Sequence, residues 1–283
     1  MRLLVKLEGT NPTGSVKDRV ARYLVEGLEA DGRLGPESVV LEPSSGNTGI
    51  ALALVCRLKG YPLTVVMPAN VTRERRQLLE IYGARIIESP GELGSNGAVA
   101  LARRLVGEDP RYVMPDQYAN PRNPLAHYET TGAEILAQCP EVDVFVAGLG
   151  TGGTLMGVGR RLREARPRVR VIAAEPMPGE QVQGLRSLDE GFVPEIFDPG
   201  AVDERQLVTT AESLAALRRL LESEGIFAGV SAGGVLVVAS RLAAEMDTGT
   251  IVALLADGGW KYLSEEVWTR DPEDERLEAL SLW

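Results

Sequence analysis

"SVVLEPSSGNTGIALALVCRLKGYPLTVVMP", residues 38 to 68, contains two short β-branched runs joined by a small-residue loop and an apolar helical segment. "SVVLEP" stops at a proline, and "IALALVCRLKG" runs without a breaker to its glycine. "LTVVMP" then repeats the first run. Two such strands joined through a helix read as a parallel βαβ unit. The pattern continues outward: "ARIIES", "RYVMP", "DVFVAG", "VRVIAAE" and "TIVALLAD" alternate with helical stretches such as "ERRQLLEIYG" and "TLMGVGRRLREAR". The fold class is therefore α/β, with parallel sheets flanked by helices.

A chain of 283 residues with 44% apolar content holds one large domain or two modest ones. Its formal charge of -10 argues against nucleic acid and anionic membrane as partners, because phosphate-rich surfaces are bound by basic faces. No apolar run approaches the roughly 20 residues that span a bilayer. "MRLLVKLE" is too short and too charged for a signal peptide. Cys56 and Cys139 show no CxxC or Cys/His spacing, so neither a disulfide framework nor a metal site is suggested. A cytoplasmic protein is expected. With one histidine, His127, and no G-x-S-x-G, a Ser-His-Asp hydrolase has little to work with. His127 reads as an ordinary helix residue.

In open α/β sheets, ligands sit beyond the carboxyl ends of strands, where helix N-termini present free N–H groups. Four junctions here are rich in Gly, Ser, Thr and Asn. In "NPTGSVKDR", Ser15 is expected to cap a helix with Asp18 three residues on, which places Lys17 in the first turn. There the macrodipole and Arg19 disfavour an ammonium, so the amine's pKa should fall. "SSGNTG", Ser44 to Gly49, combines close backbone approach with N–H groups suited to a carboxylate. "GLGTGGT", Gly148 to Thr154, offers several N–H groups and two hydroxyls as a phosphate cradle. It also satisfies G-x-G-x-x-G, with Glu175 at the distance of a ribose-binding acid, so a nicotinamide-dependent oxidoreductase is a rival. That rival leaves Lys17 and the 44 to 49 loop without a task. In "AGVSAGG", Ser231 stands at a helix start, where it either caps or meets a ligand. An amine, an anion cradle, a ring partner and a carboxylate site together suit pyridoxal phosphate and an amino-acid substrate.

"NPTGSVKDR", "SSGNTG", "GLGTGGT", "AGVSAGG" and "DGGWKYL", in this order from about Val5 to Trp260, resemble the motif set of the cysteine synthases. These are pyridoxal-phosphate enzymes of fold type II, the two-domain tryptophan-synthase-β-like fold. The resemblance implies Lys17 as the Schiff-base lysine and proton carrier at the substrate Cα. It implies Ser44, Ser45, Gly46, Asn47 and Thr48, joined by Gln117, as the substrate-carboxylate site, with Asn47 also near the cofactor's phenolic oxygen. Gly150, Thr151, Gly152, Gly153 and Thr154 match the phosphate cradle, and Ser231 matches the serine facing the pyridine nitrogen. A neutral partner there makes the ring a weaker electron sink and favours prompt loss of a β leaving group. The implied product is a bound aminoacrylate, to which a sulfur nucleophile adds to give cysteine.

Within the family the sequence is similar to the B-type synthases, especially an actinobacterial-like branch, through "MPANVTRERRQLLEIYGA", "GLRSLDEGFVPE" and the ending "LSLW". In that branch an arginine matching Arg186 is associated with O-phosphoserine as donor. The resemblance also implies a homodimer, and sulfur from sulfide or a thiocarboxylated carrier protein. Family members ordinarily carry a "GNTPL"-type segment ahead of "RLLVKLE", and often alanine where Gly258 stands.

The expected organisation is a smaller mobile domain, 11–121, carrying the carboxylate loop. Residues 1–10 and 122–262 form a larger domain carrying the cradle, followed by a tail, 263–283. The Pro- and Gly-punctuated stretch 183–206 is expected as a loop over the site, and "LSLW" as an apolar end folding toward its entrance. A cystathionine synthase or a serine or threonine dehydratase would share the lysine and both loops.

Overall fold

The structure, a computed structural model, describes residues 1–44, 46–189 and 192–269. Nine strands and nine α-helices are described. The first half holds β1 (Arg2–Leu7), α1 (Lys17–Ala30), β2 (Val39–Pro43), α2 (Asn47–Lys59), β3 (Leu63–Pro68), α3 (Arg73–Ile81), β4 (Arg85–Ser89), α4 (Gly94–Glu108) and β5 (Tyr112–Val113). The second holds α5 (Arg122–Ala126), α6 (Gly132–Gln138), β6 (Val144–Gly148), α7 (Gly153–Ala165), β7 (Arg170–Pro176), β8 (Glu204–Val208), α8 (Thr210–Glu224), α9 (Val230–Glu245) and β9 (Thr250–Leu255). A π-helical turn, His127–Thr131, joins α5 to α6.

The strands form two all-parallel sheets, one ordered β1-β9-β6-β7-β8 and the other β4-β3-β2-β5. The opening βαβ unit is β2-α2-β3, with Val40 opposite Leu63. Because helices cover both faces, the central strands are buried along their whole length, as in β3 and β9. Each sheet has its own apolar core. Ile172, Val146 and Leu255 belong to that of the larger sheet, while Ile50, Val65, Met67 and Leu79 belong to that of the smaller.

Local signals end the helices where the sequence implies. Helix α2 stops at Gly60, whose φ of 81° lets its N–H reach the Cys56 carbonyl. Helix α8 begins with a capping box between Thr209 and Glu212.

The stretch 183–206 starts as the expected loop, with Gly184, Leu185 and Arg186 lining a cavity, and departs from that expectation only at its end. Glu204 begins β8, which pairs with β7 on the sheet's outer edge, and Pro199–Ala201 forms a 3-10 turn. "ERQLV" conceals a strand because an edge strand keeps polar side chains in water. At the other edge, β1 leaves Leu3, Leu4 and Leu7 partly exposed. The carboxyl ends of β2, β3, β6 and β9 converge on one cavity, walled by Pro43, Pro68, Gly148 and Ala256.

Candidate active site

The convergent loops enclose a cavity of about 220 Å³. Lys17 lies on its wall as the first residue of α1. The expected capping box does not form: Val16 holds the cap position, and the Ser15 hydroxyl accepts the Lys17 N–H at 3.3 Å. Asp18 turns back and accepts the Thr13 N–H at 2.7 Å, closing the loop before the helix. Burial lowers the Lys17 pKa to about 8, against the opposing pull of the Asp257 carboxylate. Burial, and not Arg19, is the cause, because Arg19 is paired with Glu8 at 2.7 Å and Glu134 at 2.6 Å.

In the second loop, the Ser44 hydroxyl accepts the Gly49 N–H at 2.9 Å and so helps start α2. Ser45 lies outside the described residues. Gly46, Asn47 and Thr48 line the cavity, and the Thr48 hydroxyl donates to Gln117 Oε1 at 2.7 Å, which brings the two carboxylate-site candidates together. Gln117 is itself held from behind by Glu42, a fully buried carboxylate that accepts the Asp116 and Gln117 N–H groups at 3.0 and 3.2 Å. Burial raises the Glu42 pKa to about 8.

The third loop turns at Gly152, whose φ of 85° favours glycine and where a Cβ would meet Phe197 at 2.6 Å. Gly150, Thr151, Gly152 and Thr154 face the cavity. Gly153 sits behind them, where a Cβ would meet the Asn123 Oδ1 at 2.0 Å. Asn123 donates to the Thr151 hydroxyl at 3.0 Å. His127 is more than an ordinary helix residue: its Nε2 lies 3.3 Å from the Thr154 hydroxyl and its Nδ1 3.1 Å from that of Thr131. Burial, with the cations of Lys17 and Arg19 nearby, pushes the His127 pKa well below its usual range, so the imidazole is neutral.

Ser231 is the second residue of α9 and faces the cavity, while Gly229 occupies the cap without a side-chain hydrogen bond. Arg186 also lines the cavity. Its guanidinium stacks 4.5 Å from the centre of the Phe192 ring and 5.4 Å from that of Tyr118. Among the described residues no carboxylate pairs with it. Glu175, the ribose-acid candidate, is buried and taken: it accepts the Leu188 N–H at 2.5 Å and pairs with Arg205 at 3.1 Å. It holds the 185–188 segment in place and offers nothing to a ribose.

Sequence reasoning gave no role to Asp257 and Lys261, although both lie in the quoted "DGGWKYL". Asp257 accepts from Asn47 at 2.7 Å and from the Tyr262 hydroxyl at 2.6 Å. Lys261 donates to Asn47 at 2.6 Å.

The donor set fits pyridoxal phosphate. A glycine cradle that a Cβ would fill presents N–H groups and two hydroxyls at the start of α7, an amine of lowered pKa shares the cavity, and a neutral hydroxyl faces it from α9. Among the described residues no cluster of His, Cys, Asp or Glu could hold a metal ion, and no helix is long and apolar enough to cross a membrane.

Comparison with known proteins points the same way. The sequence profile of the pyridoxal-phosphate dependent enzymes matches residues 1–257. Cysteine synthase B of Pseudomonas aeruginosa is 42% identical over 267 residues, 94% of this chain and 89% of that protein. A Staphylococcus aureus cysteine synthase is 40% identical over 277 residues, again 94% and 89% of the two chains. Among solved structures, the Entamoeba histolytica cysteine synthase superposes with a TM-score of 0.89 at 33% identity, covering 98% of this chain and 85% of the other. An O-ureido-L-serine synthase also reaches 0.89, at 39% identity, covering 98% and 91%.

Proposed function

The chain belongs to the pyridoxal-phosphate dependent enzymes, and from that premise we propose that it is a cysteine synthase that replaces the phosphate of O-phosphoserine by sulfur. The observation that carries the general reading is one cavity walled by both Lys17, with its lowered pKa, and the glycine cradle. The curated relatives at about this likeness are named cysteine synthases.

When bound, pyridoxal phosphate supplies an electron sink for charge developing at the substrate Cα. In this reading the N–H groups and hydroxyls of Gly150 to Thr154 anchor its phosphate, with Asn123 and His127 ordering the two threonines from behind. Lys17 holds and moves the Cα proton; at a pKa of about 8 its amine gives up and takes back a proton close to neutrality. Gly46, Asn47, Thr48 and Gln117 orient the substrate carboxylate, joined by Ser44 and Ser45. The Ser231 hydroxyl leaves the ring nitrogen without a charged partner, which favours early departure of the β-substituent.

Arg186 supports the donor assignment. A guanidinium stacked on two rings and without a carboxylate partner among the described residues suits a departing phosphate dianion, whereas an acetate gains little from it. The same reading includes closure of the smaller domain, 11–121, over the cavity to exclude water. It extends to a cytoplasmic homodimer supplied with sulfur by sulfide or a thiocarboxylated carrier protein.

The test is a visible absorption spectrum of the protein loaded with pyridoxal phosphate, followed by O-phosphoserine or O-acetylserine and then sulfide, with product analysis. A visible band lost in Lys17→Ala, a shift with O-phosphoserine and formation of cysteine are expected. A shift with O-acetylserine alone would remove the donor assignment. Pyruvate or a dehydrated keto acid as the main product with sulfide present would replace synthase by dehydratase. Preference for homocysteine over sulfide would indicate a cystathionine synthase.

A further inference from the structure

Behind the cavity wall, two opposite charges grip the two ends of one amide. Asn47 Nδ2 donates to Asp257 Oδ2 at 2.7 Å, and Asn47 Oδ1 accepts from Lys261 Nζ at 2.6 Å. An ammonium only donates and a carboxylate only accepts, so a flipped amide would set oxygen against oxygen and NH₂ against NH₃⁺. Lys261 is 0% and Asp257 2% exposed, which places both contacts where the local dielectric is low and a wrong pairing is costly.

The charges are braced in turn. The Tyr262 hydroxyl donates to the same Asp257 oxygen at 2.6 Å, and the Lys261 ammonium lies 5.3 Å from the centre of the Trp260 ring. Asn47 opens α2 beside the smaller sheet, whereas Asp257 and Lys261 follow β9 of the larger one. Asn47 lines the cavity and Lys261 does not. The Lys261 side chain therefore does not touch the cavity's occupant, and the cavity-lining group it holds is Asn47.

We infer that Lys261 and Asp257 are positioning residues that fix the amide of Asn47 so that its second N–H, and not its carbonyl, is offered to the cavity. The carbonyl is turned away toward Lys261, and one amide hydrogen is committed to Asp257. The remaining hydrogen is a donor suited to an anionic oxygen. Given the cofactor reading above, on which this inference rests, that oxygen is the phenolate of pyridoxal phosphate.

The experiment uses the full chain and its Lys261→Met, Lys261→Arg, Asn47→Ala and doubly substituted Lys261→Met/Asn47→Ala forms. The readouts are the visible spectrum with pyridoxal phosphate and the cofactor's dissociation constant. Lys261→Met should shift the spectrum and weaken cofactor binding roughly tenfold, the size of one hydrogen bond to a charged group. Lys261→Arg should restore both, and in the Asn47→Ala background Lys261→Met should change neither further. An unchanged spectrum and affinity in Lys261→Met, or effects of the two substitutions that simply add, would overturn the inference. If Lys261→Met does not fold, Lys261→Leu, which likewise has no donor, is read by the same criteria. A wild-type chain with no visible band would instead overturn the cofactor reading, which keeps the two failures apart.

Discussion

Lys17, the proposed Schiff-base residue, has an interior position that favours its unprotonated amine. Its pKa of about 8 comes from burial, partly opposed by Asp257. Only the unprotonated amine attacks an aldehyde, so the rate of pyridoxal phosphate uptake by the cofactor-free chain should rise as pH passes through about 8 and level off above it. Asp257→Asn removes the charge that favours the ammonium, so the rise should move to lower pH; stopped-flow absorbance reads both profiles. Arg186 belongs to the same scale. Arg186→Gln should lower kcat/KM for O-phosphoserine roughly ten- to a hundredfold, the loss of a charge-assisted contact, and leave O-acetylserine nearly unaffected. Steady-state kinetics with both donors checks it.

At the scale of elements, the loop after β5 depends on Glu42 at the end of β2. Asp116 has a φ of 53°, unusual for a residue with a side chain, and the Glu42 carboxylate holds its N–H together with that of Gln117. Burial raises the Glu42 pKa from 4.5 to about 8. A carboxyl whose folded pKa lies above its unfolded value contributes stability that is present below about 4.5 and lost as pH rises through about 8. Glu42→Gln should therefore flatten the decline of stability across that window, as measured by urea unfolding at a series of pH values.

What could be read from the sequence also sorts by element. Strands β2, β3, β6, β7 and β9 are legible because strands covered on both faces are continuous apolar runs. "RYVMP" yields only the two-residue β5, and β8 hides behind its edge polarity. Likewise the cavity-lining loops announce themselves through runs of small residues at strand ends. His127, Asp257 and Lys261 do not, since each acts through partners 27, 210 and 214 positions away, set by packing that no local spacing encodes. The Ser15 and Asp18 box fails for a related reason: Thr13, two residues earlier, competes successfully for the carboxylate.

Across the whole molecule, one seam between the two sheets' halves is built from α3 and the 259–265 turn. Glu74, on α3, accepts from the Ser264 N–H at 3.0 Å and hydroxyl at 2.7 Å, and the Thr72 hydroxyl donates to the Lys261 carbonyl at 3.3 Å. Arg75 stacks 4.8 Å from the centre of the Tyr262 ring and bonds Gln183. Glu74→Ala should loosen this seam without disturbing either core. The expected result is faster amide hydrogen exchange across α3 and 259–265, with protection of β6, β7 and β9 unchanged, measured by mass spectrometry.

The pairing of β1 with β9 sets Arg2 opposite Thr250, and among the described residues β9 is the only strand that pairs with β1. During synthesis on the ribosome, β1 must wait for β9, which lies far along the chain, before it can pair. Residues 17–113, from α1 to β5, carry the smaller sheet with its core and can settle meanwhile. Until β9 is made the backbone of β1 has no partner strand, a long interval in which a chaperone has something to hold.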